Sequence, residues 1–221
     1  MSLPLAPQAV VFDCDGLLVD TEVCWTRAET KIFAAHGHGF GPEQKALVIG
    51  RTLAGAGEAM ADYFGRPGAG AELAAELLDL VRQELAGGAE ALPGAVELVK
   101  ACARAVPVAV ASNSPRELLD TALGSAGLAD FFPVSFAADE VTAAKPAPDL
   151  YLEACAALGA LPDRSVAFED SATGIAAARR AGLYVVVVPS LPGTGLDHDH
   201  LASSLGDNAL VDWAEGLAQG A

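Results

Sequence analysis

The sequence has little positive charge and no apolar run long enough to cross a membrane. Its 221 residues include 13 Lys or Arg against 29 Asp or Glu, which gives a formal net charge of -16. Proteins that bind nucleic acid normally present clustered Lys and Arg, so this balance argues against such a partner. Charged residues, Gly and Pro interrupt every hydrophobic stretch well before it reaches the length of a membrane span. We therefore expect neither nucleic acid nor a membrane as a partner.

Cysteine is scarce and widely spaced. Cys14, Cys24, Cys102 and Cys155 include no pair with the close spacing of a zinc site or a thioredoxin-type motif. The first residues, Met1 to Pro7, lack the basic region and apolar stretch of a secretory signal. Both observations favour free thiols in a cytoplasmic protein.

Short apolar runs that end in polar residues recur along the chain. They cover residues 9–13, 106–111, 134–137, 165–168 and 184–188. Continuous apolar runs of this length are typical of strands buried on both faces of a parallel sheet. Stretches with helical start and stop signals lie between them, such as residues 95–105 after Pro93-Gly94 and residues 116–126 after Pro115. The alternation predicts an α/β fold with a Rossmann-like parallel sheet.

Residues 21–91 break this alternation. They contain no convincing strand, and apolar residues recur there at helical spacing, as in Leu73, Leu77, Leu78, Val81 and Leu85. We therefore predict a helical insertion at 21–91 between two parts of one core, residues 1–20 and 92–221. The insertion carries -4 of the net charge and the core carries -12. Such an anionic core would repel phosphate unless several of its carboxylates bind a cation.

Polar side chains follow the predicted strands at their carboxyl ends. Asp13 and Asp15 follow the first strand, and their two-residue spacing points both carboxylates the same way. An isolated Asp-x-Asp-Gly is more often an ordinary turn. The ends of the later strands add Ser112, Asn113, Ser114, Lys145, Glu169 and Asp170. Because the carboxyl ends of parallel strands share one edge of a sheet, these groups are expected to meet in one crevice.

Four ordered segments resemble the motifs of the haloacid dehalogenase superfamily. They are residues 13–22, 111–115, 145–149 and 168–174. The resemblance spans nearly the whole chain and is strongest to sugar-phosphate phosphatases and β-phosphoglucomutases. It implies that the insertion at 21–91 is a helical cap domain over the catalytic core.

The resemblance also implies a role for each residue. Asp13 would attack phosphorus to form an aspartyl phosphate, and Asp15 would act as the acid and base. Mg²⁺ would be bound by oxygens of Asp13, Asp15, Glu169 and Asp170, with Glu169 either a direct ligand or an outer partner. Lys145, Ser112 and Asn113 would hold the phosphate. The expected function is a Mg²⁺-dependent phosphatase of small sugar or polyol phosphates, so the expected partner is a small phosphorylated metabolite.

Two residues of the insertion bear on the substrate. Arg51, in Ile49-Gly50-Arg51-Thr52, is the candidate for touching the substrate's distal part, or else an ordinary surface arginine. Trp25 stands where β-phosphoglucomutases carry a His, which argues against the alternative of a phosphomutase. We interpret its ring as core packing on an amphipathic helix, with stacking on a sugar as the other reading.

A phospho-accepting signalling receiver is an alternative of another class. Receivers also accept phosphate on an Asp beside Mg²⁺ and a Lys, and this reading predicts a stable phosphoprotein. It explains neither the helical insertion nor the second carboxylate at Asp15, which equips the site for turnover. Haloacid dehalogenases themselves attack carbon without a metal, and the carboxylates of Glu169 and Asp170 fit phosphoryl transfer better.

Overall fold

A parallel sheet organises the part of the chain that the computed structural model describes, residues 3–190 and 196–218. The spatial order is β3-β2-β1-β4-β5-β6, and neighbouring strands are parallel throughout. The strands are β1 (Ala9–Phe12), β2 (Val108–Ala111), β3 (Val134–Phe136), β4 (Ser165–Glu169), β5 (Tyr184–Val187) and β6 (His200–Leu201). The predicted α/β parallel sheet is confirmed.

The central strand β1 shows why these runs are continuously apolar. It pairs with β2 on one side and β4 on the other, and all four of its residues are fully buried. Successive side chains point to opposite faces of a strand. Val10 and Phe12 therefore pack into one hydrophobic cluster and Val11 into another. Phe12 also stacks on Phe168 of β4, with ring centroids 5.0 Å apart.

Four helices occupy most of the predicted insertion: α1 (Glu22–Ala35), α2 (Pro42–Val48), α3 (Leu53–Tyr63) and α4 (Gly70–Leu85). We call residues 22–85 the helical segment. Helix α4 packs against α1 and α3. Leu73, Leu77, Val81 and Leu85, which recur every four residues, are buried along one face of α4. Leu78 lies beside that face and is only partly buried.

In the described residues after this segment, the α-helices are α5 (Ala95–Ala105), α6 (Arg116–Ser125), α7 (Asp149–Ala157), α8 (Ala172–Ala181) and α9 (Asn208–Leu217). Helix α8 ends at Gly182, which caps it in the left-handed conformation with φ 91°. Helix α9 and the two-residue β6 were not predicted. No described helix combines the length and apolarity that crossing a membrane requires, and all four cysteines are buried free thiols.

The two connections between the helical segment and the sheet lie side by side. The Asp20 amide donates to the Glu90 carbonyl and the Leu92 amide donates to the Leu18 carbonyl, each at 2.9 Å. Both connections therefore leave the sheet together, next to the residues that follow β1.

Candidate active site

The carboxyl ends of β1, β2 and β4 bring the predicted polar residues to one edge of the sheet. Asp13 and Asp15 follow β1, Ser112 follows β2, and Asp170 follows β4. Lys145 arrives from the loop between β3 and α7. We call the cavity at this edge the active-site pocket; Asp13, Asp15, Asn113, Ser114, Lys145 and Asp170 line its floor.

Lys145 joins two carboxylates beneath the pocket. Its Nζ lies 2.5 Å from Asp13 Oδ1 and 2.5 Å from Glu169 Oε1, and only 2% of its side chain is exposed. The Tyr151 hydroxyl of α7 donates to the same Glu169 oxygen at 2.5 Å. Sequence reasoning missed Tyr151, because the apolar pattern of α7 marks it only as a core residue. Its hydroxyl nevertheless belongs to the charged network.

The charges of this cluster do not balance. Asp13, Glu169 and Asp170 contribute three carboxyl groups against one ammonium, and all four side chains are nearly or fully buried. Burial raises the pKa of Asp13 well above its ordinary value, against the opposing effect of Lys145. Burial, reinforced by the Glu169 charge, raises the pKa of Asp170 to about 7. Burial alone would lower the pKa of Lys145. The negative charges of Asp13 and Glu169 together have the larger effect, so the pKa of Lys145 is raised.

This cluster has the composition that a hard divalent cation requires. Carboxylate oxygens of Asp13, Glu169 and Asp170 lie within 4.8 Å of one another. Oxygen ligands of this kind suit Mg²⁺, and a dication would neutralise the excess negative charge. Gly16 has φ +78°, and a Cβ there would lie 2.8 Å from Asp170 Oδ2. The turn after β1 can therefore approach Asp170 only because residue 16 is glycine.

Asp15 is held by four side-chain donors. Its Oδ2 accepts from the hydroxyls of Ser112 at 3.0 Å and Ser114 at 2.8 Å. Its Oδ1 accepts from the Thr21 hydroxyl at 2.7 Å and from the indole N–H of Trp25 at 3.4 Å. The site thus fixes this carboxylate beside Asp13, with donors from both the sheet and the helical segment.

The structure adds a polar contact to the predicted packing role of Trp25. The half-buried ring packs against the hydrophobic core, as predicted for an amphipathic helix. The same side chain also lines the active-site pocket and donates to Asp15. Its indole N–H was not part of the sequence prediction, because a helical pattern does not show where a polar ring atom points.

The two predicted phosphate-binding residues after β2 occupy different places. Ser112 is fully buried, and its hydroxyl is directed to Asp15. Asn113 lines the pocket, where its side-chain amide donates to the carbonyls of Gly50 at 3.2 Å and Lys145 at 3.1 Å. Its Oδ1 accepts from the Lys145 amide at 2.9 Å. Asn113 therefore connects the helical segment to the loop that carries Lys145.

The helical segment forms the wall of the pocket that faces the sheet edge. Arg51 is exposed and lines this wall, as do Glu22, Trp25, Glu29 and Lys45. We call these five side chains the pocket wall. Sequence reasoning singled out Arg51 and Trp25 but not the other three, because charged residues on predicted helices are most often solvated.

Comparisons with known proteins match both the sheet and the helical segment. A model of haloacid dehalogenase-like hydrolases matches residues 7–182. The chain is 36% identical over 196 residues to protein CbbY from Rhodobacter capsulatus, covering 83% of this chain and 86% of that protein. It is 32% identical over 196 residues to hexitol phosphatase B from Escherichia coli, covering 86% and 87%.

A solved structure extends this likeness to the fold. The crystal structure of a CbbY mutant from Rhodobacter sphaeroides in complex with xylulose-(1,5)bisphosphate aligns with a TM-score of 0.79 at 28% sequence identity. The alignment covers 93% of this chain and 99% of that chain. The similarity therefore includes the helical segment as well as the sheet.

Proposed function

This chain belongs to the haloacid dehalogenase-like hydrolases, and we propose that it is a Mg²⁺-dependent phosphatase of small sugar or polyol phosphates. The observation that carries the proposal is the buried cluster of Asp13, Lys145, Glu169 and Asp170 beside Asp15. It combines a nucleophile, a fixed cation, an oxygen-only metal site and a second carboxylate. The name of hexitol phosphatase B supports the substrate class.

In the first step, a carboxylate oxygen of Asp13 forms a bond to phosphorus. The P–O bond to the alcohol breaks at the same centre, and Asp15 gives its proton to the departing alkoxide. The Lys145 ammonium, already 2.5 Å from Asp13, offsets the repulsion between the nucleophile and the phosphate. The product is an aspartyl phosphate and the free sugar or polyol.

In the second step, water attacks the phosphorus of the aspartyl phosphate. Asp15 takes a proton from that water, the acyl phosphate P–O bond breaks, and the Asp13 carboxylate is regenerated. Ser112, Ser114, Thr21 and Trp25 hold Asp15 in position for both proton transfers. The position of this second carboxylate is what separates a turnover site from a stable phospho-acceptor.

Mg²⁺ held by Asp13, Glu169, Asp170 and the main-chain carbonyl of Asp15 would neutralise charge on the phosphoryl oxygens. Asn113 lines the pocket beside Lys145. We therefore propose that its main-chain amide donates a hydrogen bond to the phosphate, together with Ser112 and Lys145.

We further propose that residues 21–91, which contain the helical segment, form a cap domain over a catalytic core of 1–20 and 92–221. The active-site pocket lies between the two, and closure over it would exclude water. Arg51 on this wall is the proposed contact to the distal part of the substrate. Free thiols suit a cytoplasmic enzyme that acts on phosphorylated metabolites.

A phosphomutase is the alternative within the same family. It would interconvert hexose phosphate isomers when primed with a bisphosphate and would release little free phosphate. Trp25 argues against it, because the indole N–H can donate to Asp15 but cannot accept or transfer a proton as a histidine ring can.

Phosphate release from a panel of sugar and polyol monophosphates, with and without Mg²⁺, tests the proposal. The wild type is expected to turn over, and Asp13→Asn is expected to lose activity by about 10⁴-fold or more. Asp163→Asn is the matched control, because this exposed carboxyl precedes β4 at the opposite edge of the sheet. Full activity of Asp13→Asn would contradict the mechanism, and a long-lived phosphoprotein without turnover would favour the receiver reading.

A further inference from the structure

A charged triad on α1 and α2 forms part of the pocket wall, and its Glu22 lies next to Gly16, at the Asp170 end of the pocket. Lys45 Nζ of α2 lies 2.9 Å from Glu22 Oε2 and 2.8 Å from Glu29 Oε2, both on α1. Glu22, Trp25 and Glu29 are spaced three and four residues apart, so they share one face of α1. All four side chains line the same pocket as Asp13.

The helical packing alone does not require this triad. The Glu29 side chain is 4% exposed and that of Lys45 is 17% exposed, so both charges are largely removed from water. Burial raises the pKa of Glu29, against the opposing effect of Lys45. A buried ion pair of this kind contributes little net stability compared with apolar side chains of the same volume. The position of this ion pair on the pocket wall indicates a role in binding the substrate.

The hydrogen-bonding capacity that remains in the triad fits hydroxyl groups. An ammonium has three N–H donors; Lys45 donates one to Glu29 at 2.8 Å, and Glu22 lies 2.9 Å away as an ion-pair partner. Each carboxylate can accept several hydrogen bonds, and about a third of the Glu22 side chain is exposed, at 32%. A hydroxyl both donates and accepts, so neighbouring hydroxyls can bind to the ammonium and a carboxylate together.

The net charge of the triad disfavours an anionic group. Two carboxylates and one ammonium sum to a single negative charge, so a second phosphate or a carboxylate would find no net attraction there. Arg51 is a separate cation on the same wall. The net charge of the triad therefore suits a neutral polyhydroxyl tail better than a bisphosphate such as the one bound in the CbbY structure.

We propose that Glu22, Lys45 and Glu29 form a subsite that binds neighbouring hydroxyls of an uncharged sugar or polyol tail. The inference rests on the proposed phosphatase function, because the tail is that of the phosphate ester held at Asp13. Hydrogen bonds from these three side chains of the pocket wall select the substrate class.

Three esters of equal carbon length test the wild-type selectivity: a hexitol monophosphate, n-hexyl phosphate and a hexitol bisphosphate. The kcat/KM for the hexitol monophosphate is expected to exceed each of the others by about tenfold or more, because unpaired polar groups in the subsite penalise the wrong tail. A wild type that prefers hexyl phosphate or the bisphosphate overturns the subsite.

Lys45→Met tests the assignment to residues, with Lys31→Met as the matched control. Lys31 also binds a carboxylate within the helical segment, Glu84 at 2.5 Å, but neither residue lines the pocket. In Lys45→Met the ratio of kcat/KM for hexitol monophosphate over hexyl phosphate should fall about tenfold, mainly through KM. The control should keep the wild-type ratio.

A second variant keeps the test decisive if Lys45→Met folds poorly. Lys45→Met leaves Glu29 buried without its partner, so the double variant Lys45→Met/Glu29→Gln removes both charges at nearly constant volume. The double variant should show the same fall in ratio. A ratio within about twofold of the wild type in both variants overturns the subsite alone. A wild type that releases phosphate from none of the sugar and polyol monophosphates of the panel overturns the proposed function, and the subsite with it; activity on that panel but not on the hexitol monophosphate overturns the subsite alone.

Discussion

The sheet edge and the pocket wall use charged side chains in different ways. At the sheet edge, Asp13 and Glu169 are buried at strand ends, and both bind the buried Lys145 of the loop between β3 and α7. On the wall, Glu22 and Lys45 are partly exposed and come from two different helices. The first group is almost completely removed from water, whereas 32% of the Glu22 side chain in the second is exposed.

This difference separates the reaction from the selection of substrate. A rigid, buried arrangement can present fixed charge to a transferring phosphoryl group without reorganising. Side chains on helices of a separate segment can change without disturbing that arrangement, so one reaction can serve different substrates. We therefore expect changes at the sheet edge to act mainly on kcat, and changes on the wall to act mainly on KM.

Lys145→Met should have the largest effect among the predictions that test this comparison. Removing the ammonium from the nucleophile and the phosphoryl group is expected to lower kcat by about 10²–10³-fold. Asp13 and Glu169 would also lose their shared buried partner, so the melting temperature should fall. Steady-state kinetics and thermal unfolding check both outcomes.

Lys100→Met is the control for that experiment, because Lys100 is exposed, lies 5.7 Å from the ring centroid of Phe131 and does not line the active-site pocket. A Lys145→Met variant with near wild-type kcat and a raised KM would break the comparison, since the sheet edge would then act through substrate binding.

Mg²⁺ binding should strengthen as pH rises, because the ion binds the deprotonated carboxylates. Without metal, the pKa of Asp170 is raised from 3.8 to about 7, so between these values the folded state binds more protons than the unfolded state. The free energy of unfolding contributed by this group therefore falls as pH rises through that window. Mg²⁺ binds the deprotonated carboxylates and opposes the loss.

Thermal unfolding with Mg²⁺ or with a chelator measures this linkage. Saturating Mg²⁺ should raise the melting temperature by about 5 °C near pH 8 and by much less near pH 5. Asp170→Asn should abolish the difference between the two pH values. An equal stabilisation by Mg²⁺ at both pH values would argue against a site built from these carboxylates.

The sheet and the convergence of its polar ends could be predicted because both follow from local patterns. Continuous apolar runs indicated β1, β4 and β5, and parallel order then places the residues after each strand at one edge. The strand β6, His200–Leu201, has only two residues and no pattern to detect. The helix α9 was missed as well.

The finer contacts could not be predicted, because they depend on where side chains point after packing. Tyr151 and Glu169 are 18 positions apart, and Lys45 and Glu29 are 16 apart on different helices. No periodicity joins such pairs. Ser114 lay within a recognised motif, yet only the structure shows that its hydroxyl binds Asp15.

Tyr151→Phe should have a moderate effect, because it removes one donor from the sheet edge without changing a charge. Glu169 Oε1 would keep Lys145 as a donor but lose the hydroxyl at 2.5 Å. We expect kcat to fall about tenfold, in line with the loss of a hydrogen bond to a charged group. Tyr63→Phe, on α3 outside the pocket lining, is the control. An effect confined to KM would contradict the assignment of Tyr151 to the reaction centre.

Trp25→Phe should have the smallest effect, because Trp25 lies on the wall and contacts the sheet edge through one long hydrogen bond. The variant keeps an aromatic ring and removes an N–H that lies 3.4 Å from Asp15 Oδ1, while Thr21, Ser112 and Ser114 remain as donors. We expect kcat to fall about two- to threefold. Trp213→Phe is the matched control, because its indole N–H donates to the Pro4 carbonyl at 2.7 Å and does not line the pocket. A fall in kcat beyond about a hundredfold would mean that the wall takes part in the reaction itself, and the division between the two regions would then be wrong.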